Sequence, residues 1–138
     1  MLFRSIGFSS GLLFATFCLH NLEEALTYGL YRSRSEALIS QIAGTSISAP
    51  TTRVFLLALA VVTLLGGVVA AWCARAPLSR IKRRVLLAFC MILGANVFLP
   101  HLPAAILLGG YAPGVLTAVA INLPVTVYVA RRILDPRS

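Results

Sequence analysis

The chain has 138 residues, which bounds it to a single domain. Hydrophobic residues make up 59% of it and charged residues 12%, about half the charged share usual in soluble domains, so an ordinary soluble fold is excluded. The net charge of +8 sits in clusters between apolar runs with no basic face interleaved with aromatics, which argues for lipid head groups as partners and against nucleic acid.

None of the apolar runs alternates as the strands of a membrane barrel must. The expected fold is all-α: a polytopic helix bundle with four transmembrane helices, over about 6–28, 53–73, 85–108 and 112–130, forming one integral membrane domain across 1–138. The first run follows Arg4 and resembles a signal-peptide core, but no small-x-small cleavage site follows it. Next comes a polar connection from Arg32 to Thr52. In it, Ser33 and Glu36 fit a capping box opening a short helix that Gly44 stops. Leu38, Ile39 and Ile42 of that helix suit the membrane surface.

The second run carries Gly66, Gly67, Ala70 and Ala71, small residues that let a neighbouring helix approach closely. The stretch from Arg75 to Arg84 holds Pro77 and the tightest basic cluster: Arg75, Arg80, Lys82, Arg83 and Arg84. The third run meets Pro100 and Pro103, which are expected to break or kink it. The apolar residues after them continue the helix or form a re-entrant piece. A turn over Gly109 to Gly114 precedes the fourth run, which ends at Arg131 and Arg132. Cys18, Cys73 and Cys90 are widely spaced and read as small buried hydrophobes.

With both termini inside, nine of the twelve basic residues lie on the cytoplasmic side, leaving Arg32, Arg34 and Arg53 outside. The positive-inside rule therefore favours N-in, C-in. On this topology, His20 lies past the middle of the first span and Glu23 and Glu24 near its outer boundary. Asn96 and Asn122 fall near the middle of the third and fourth spans, and His101 in the outer part of the third. Both histidines, two of the four acidic residues and two asparagines thus share the central-to-outer half of the bilayer. His20, Glu23 and Glu24 also share one helix face, together with Thr16 and Thr27.

Each residue also has a plainer reading. Glu23 and Glu24 fit an interfacial helix end, and His101 a helix-end or loop histidine. Asn96 and Asn122 fit interhelical hydrogen bonding, and Tyr111 an interfacial aromatic. The functional case rests on their convergence, because ionisable residues inside a membrane normally face a wet or packed interior and mark function.

His20-x-x-Glu23-Glu24 closing the first span, with Asn96, His101 and Tyr111-x-Pro113-Gly114 as a second polar region, resembles the HXXEE family of small four-helix bacterial membrane proteins. The resemblance covers nearly the whole chain. It implies an integral membrane domain of enzymatic character and supplies no established reaction.

The candidate catalytic set is His20, Glu23, Glu24, Asn96 and His101, with Tyr111 and Asn122 as substrate-binding residues. His20, Glu24 and His101 are the candidate ligands of a divalent metal, for which imidazole and carboxylate suit zinc, iron or manganese. The expected function is a membrane enzyme on a lipidic or apolar small molecule, hydrolase- or isomerase/cyclase-like, working by acid–base or metal-assisted chemistry. Two alternatives are kept. One is an oligomeric proton-coupled transporter, since intramembrane Glu and His form proton relays. The other is a structural or accessory membrane protein. A Ser-His-Asp arrangement is disfavoured because Asp135 lies in the tail.

Overall fold

The computed structural model describes residues 2–75 and 79–134, without the side chains of residues 2–6. Expectations that rest on Pro77, Asp135, Arg137 and the side chain of Arg4 lie outside the described residues. Every described element is helical. Four helices run in chain order: α1 (Leu2–Ala43), α2 (Thr52–Ala74), α3 (Arg80–Leu107) and α4 (Val115–Leu134). Among the described residues, α2, α3 and α4 are long and apolar enough to cross a membrane. The helices therefore support a membrane protein with three clear spans rather than the four expected.

Helix α1 corrects the sequence reading. No break occurs between the first apolar run and the polar segment, and the capping box at Ser33 does not form. Nothing between Tyr28 and Ala43 forbids helix, and Glu36 instead sits one turn from Arg32, 3.7 Å from its guanidinium. The helix does end where expected, at Gly44, whose φ of +66° is the left-handed conformation that closes a helix. The rods α1 and α2 then pack antiparallel. Ser10 Oγ donates to Ala70 O at 2.7 Å, Asn21 Nδ2 to Thr63 Oγ1 at 2.7 Å, and Tyr28 Oη to Pro50 O at 2.8 Å.

The small residues of α2 admit aromatic rings rather than a bare backbone. A β-carbon on Gly66 would stand 2.7 Å from the Phe17 ring, and one on Gly67 would stand 3.0 Å from Phe14. Phe17 in turn meets Phe89 edge-on at 5.6 Å. A Gly66→Leu variant is therefore expected to lose about 1–3 kcal/mol through overpacking, read as a lower thermal unfolding midpoint in detergent. The outward face of α2 stays apolar and exposed at Leu57, Val61, Leu64, Leu65 and Val68, which suits contact with lipid tails.

The basic connection has a structural logic. Ser79 caps α3 by accepting from Lys82 N at 3.2 Å. Cations in a first helical turn oppose the helix dipole, and two of them reach other helix ends instead. Lys82 Nζ donates to Arg75 O at 2.6 Å, at the end of α2, and Arg83 donates to Ile133 O at the end of α4. Above them lies the apolar core of Leu13, Cys73, Leu86, Cys90, Leu93, Val129 and Ile133. All three cysteines are free, with Cys73 and Cys90 filling the core.

The prolines do not break α3. The helix runs on through a π turn at Val97–His101, in which Leu102 N–H reaches back to Val97 O. Pro100 lacks the N–H for an α-helical bond to Asn96, and the wider turn relieves its ring. A second π turn, Ala118–Asn122, precedes Pro124 in α4 in the same way. The two wide turns face each other across the bundle. The residues after Pro103 thus continue the third helix and are not a separate re-entrant piece.

Candidate functional site

The polar site lies where α1, the π turn of α3 and the start of α4 meet. Its depth follows from Asn21, which bonds Thr63. Thr63 stands eleven residues after Thr52 and eleven before Ala74, so the neighbouring His20 lies level with the middle of α2. Glu23 and Glu24 lie within about 6 Å of that level along α1.

Asn96 and His101 are five apart, which on a straight α-helix puts them about 140° from each other. The π turn closes over five residues and brings them to one side. Asn96 Nδ2 then lies 3.0 Å from His20 Nε2 and 3.0 Å from His101 Nε2. The two imidazoles meet edge-on, with centroids 4.6 Å apart, and both are buried.

The hydrogen bonds on the far side of each ring fix the tautomers. His101 Nδ1 lies 2.8 Å from Pro113 O, a carbonyl that can only accept, so Nδ1 carries the proton. His20 Nδ1 lies 3.0 Å from Thr117 Oγ1. The single hydroxyl proton of Thr117 goes to Glu23 Oε2 at 2.6 Å, so Thr117 accepts from His20 Nδ1–H. Each ring therefore turns an Nε2 lone pair toward the other. Both Nε2 atoms also lie near Glu24, whose Oε1 is 3.9 Å from His20 Nε2 and 3.5 Å from His101 Nε2.

The two adjacent glutamates divide the work. Glu23 accepts from Tyr111 Oη at 2.6 Å, Leu116 N at 3.2 Å, Thr117 N at 2.7 Å and Thr117 Oγ1 at 2.6 Å. Its carboxylate thus closes the N-terminus of α4, where free N–H groups and the helix dipole favour an anion. Tyr111 is spent on this contact. A Tyr111→Phe variant is expected to cost about 1.5–3 kcal/mol, the range for a hydrogen bond to a charged group, measured by thermal unfolding. Glu24 has no such cap and is left to the two imidazoles.

Asn122 is fully buried, and neither its amide nitrogen nor its carbonyl oxygen has a hydrogen-bond partner. It does not act as interhelical glue among the described residues. Thr16 is buried on the face of α1 that carries His20, and Thr27 bonds back to Glu23 O. One residue, Thr117, escaped the sequence reading, and one that it named, Gly114, has a closer part in the site than the motif showed. Thr117 joins Glu23 to His20. Gly114, with φ +80°, packs against the cluster: a β-carbon there would lie 2.7 Å from His101 Cε1, 2.8 Å from His20 Cε1 and 2.9 Å from Glu24 Cγ. Its turn was legible in Pro113-Gly114, but its approach to both histidines was not.

His20, Glu24 and His101 offer ligand atoms that all lie within 4.8 Å of one another, a group able to hold a metal ion. The model of a family described as a protein of unknown function with HXXEE motif matches residues 11–129, which span every residue of this cluster. The chain belongs to the HXXEE family. The motif residues of this HXXEE chain are His20, Glu23 and Glu24. It is 30% identical over 115 residues to the uncharacterized protein YrkK of Bacillus subtilis (strain 168), covering 80% of this chain and 68% of that one. No solved structure matches the chain significantly.

Proposed function

We propose that this protein is a four-span membrane enzyme, N-in and C-in, with a divalent metal centre at His20, Glu24 and His101 acting on an apolar substrate. The observation that carries the reading is the pair of fixed tautomers. Each histidine gives its Nδ1–H to a neighbour and leaves its Nε2 unprotonated beside the Glu24 carboxylate, where Asn96 Nδ2 also lies 3.0 Å from each Nε2. Metal-bound histidines are held in this way, with the second ring N–H donated to a carbonyl or other acceptor. Asn96 Nδ2 lies against both Nε2 atoms, and the Glu24 carboxylate beside them is the acceptor that a cation or a proton would satisfy. Around a tetrahedral ion, donors at about 2.0–2.2 Å stand about 3.3–3.6 Å from each other. The separations from Glu24 are 3.5 and 3.9 Å and all three donors lie within 4.8 Å of one another, so an ion would draw them closer and take the place of the Asn96 contacts.

Two histidines and one carboxylate leave coordination positions open, as catalytic centres of zinc, iron or manganese do. A divalent ion held there supplies Lewis-acid polarisation of a substrate oxygen or double bond. Glu23 is occupied by four donated hydrogen bonds, so among the described residues no second carboxylate is free to act as a base on water. That favours isomerase- or cyclase-like chemistry over hydrolysis. The antiparallel packing of α1 along α2 supports a fourth span, and the basic residues at the α2–α3 connection support the inward termini.

The metal-free reading has one observation in its favour. Asn96 donates to both Nε2 atoms and can hold the pair without an ion. Elemental analysis decides between the two. Purified protein supplied with zinc, iron or manganese is expected to retain one divalent ion per chain, and His101→Ala to retain none. No ion in the wild type, or equal amounts in both, overturns the metal centre.

A further inference from the structure

Glu24 and His101 also form the inner end of a cavity of about 420 Å³. That volume is in the range of small-molecule sites, about 300–1,000 Å³. Away from the cluster the walls are apolar: Phe55 from α2, Leu99 and Leu107 from α3, and Leu38, Ile39 and Ile42 from the extension of α1. Ser35 is the polar exception along the outer wall. The cavity therefore runs from mid-bundle toward the end of the molecule where α1 outreaches α2, and Ile39, Ile42 and Leu107 are exposed at its rim.

The charge at this end has one sign in excess. Arg32, Arg34 and Arg53 lie in the segments that flank the opening, against Glu36 as the one acid there. Arg32 is engaged by the fold, donating to Pro50 O at 2.9 Å and Ala49 O at 3.1 Å and pairing with Glu36 at 3.7 Å, which leaves Arg34 and Arg53 for a head group. Arg32 sits eight residues from Glu24, about 12 Å along the helix. An amphiphile lying as a lipid lies keeps its anionic head at the arginines and its tail in the apolar channel. Its hydrocarbon end, not its head, then meets Glu24 and His101.

We infer that the substrate is an amphiphile with one apolar tail and an anionic head, bound tail-first, whose reacting group lies well down the tail. This rests on the membrane orientation and catalytic cluster proposed above, and it names the substrate class for them. It also accounts for a site at mid-bundle depth rather than at the head-group level.

Photolabelling tests it. The probes are two saturated fatty acids, one with a diazirine near the methyl end and one with a diazirine beside the carboxylate, applied to the full chain in lipid nanodiscs. Alkyl diazirines insert readily into carboxyl O–H bonds. On protein stripped of metal, where the Glu24 carboxyl can carry a proton, the methyl-end probe is expected to label Glu24 and the 99–104 segment, and the carboxylate-end probe to label 35–42. Leu107→Trp at the exposed rim and Ala104→Trp within the wall are both expected to reduce labelling of Glu24 at least about tenfold. The reverse labelling pattern, or labelling unchanged in both variants, overturns the inference. The metal analysis is independent. Tail-end labelling, with no ion found by that analysis, removes the metal centre and leaves this inference standing. An ion found there without cavity labelling does the opposite.

Discussion

A Gly114→Ala variant is expected to lose divalent-ion binding by at least about tenfold and to unfold more easily by about 1–3 kcal/mol. Two physical effects combine. At φ +80° an L side chain is strained, so alanine is disfavoured by the backbone alone. The added methyl would also lie within 2.9 Å of His101, His20 and Glu24 together. None of these atoms is the free end of a flexible chain: both imidazoles are held through Nδ1, and Glu24 is anchored on α1 beside them. Relief requires the turn to move outward. That withdraws Pro113 O from His101 and Thr117 from His20, and so frees both rings. Isothermal titration with zinc and thermal unfolding on the same samples check the two effects. Wild-type affinity in Gly114→Ala would contradict the packing at this site.

The second large effect separates the adjacent acids. Glu24→Gln is expected to abolish metal retention while leaving the unfolding midpoint, measured with chelator present, close to that of the metal-free wild type. The amide is nearly the same size, and among the described residues no hydrogen bond depends on the Glu24 carboxylate. Glu23→Gln is expected to do the reverse in its main effect. It turns an amide N–H₂ toward donors that a carboxylate satisfied and removes the charge from the start of α4. With two or more charge-assisted bonds lost at about 1.5–3 kcal/mol each, destabilisation is at least about 3 kcal/mol. Residual metal in the folded fraction of Glu23→Gln is expected, because no ligand is removed. Metal content and unfolding midpoint, measured for both variants, should therefore move in opposite order. Equal loss of metal without loss of stability in the two variants would remove the division of labour.

Much of this arrangement was legible in the residues, and the reasons are physical. Apolar runs and the arginines between them locate helices and loops, because bilayer solvation acts on composition. Asn96, His101 and His20 share a depth that the run lengths and rise per residue give directly. Other features depend on geometry that composition does not encode. Ser33 and Glu36 spell a capping box, but the same spacing occurs inside a helix, and here Arg32 takes the glutamate. Pro100 and Pro103 signal a break. Whether the chain breaks or widens into a π turn depends on what packs across from it, here the second π turn before Pro124. The unequal fates of Glu23 and Glu24 follow from where α4 begins. That depends on the turn at Gly114, and Thr117 enters the site for the same reason.

The central claim is that two histidines with protonated Nδ1 atoms turn their Nε2 atoms to one divalent ion. These are the chain's two histidines, so the imidazole nitrogens report the site directly. The decisive measurement is ¹⁵N NMR of histidine-labelled protein in nanodiscs, titrated with zinc. Both Nε2 resonances are expected to shift together and saturate at one ion per chain, with both Nδ1–H couplings retained. Shifts at Nδ1, a shift at one histidine alone, or no saturable shift at either would contradict it.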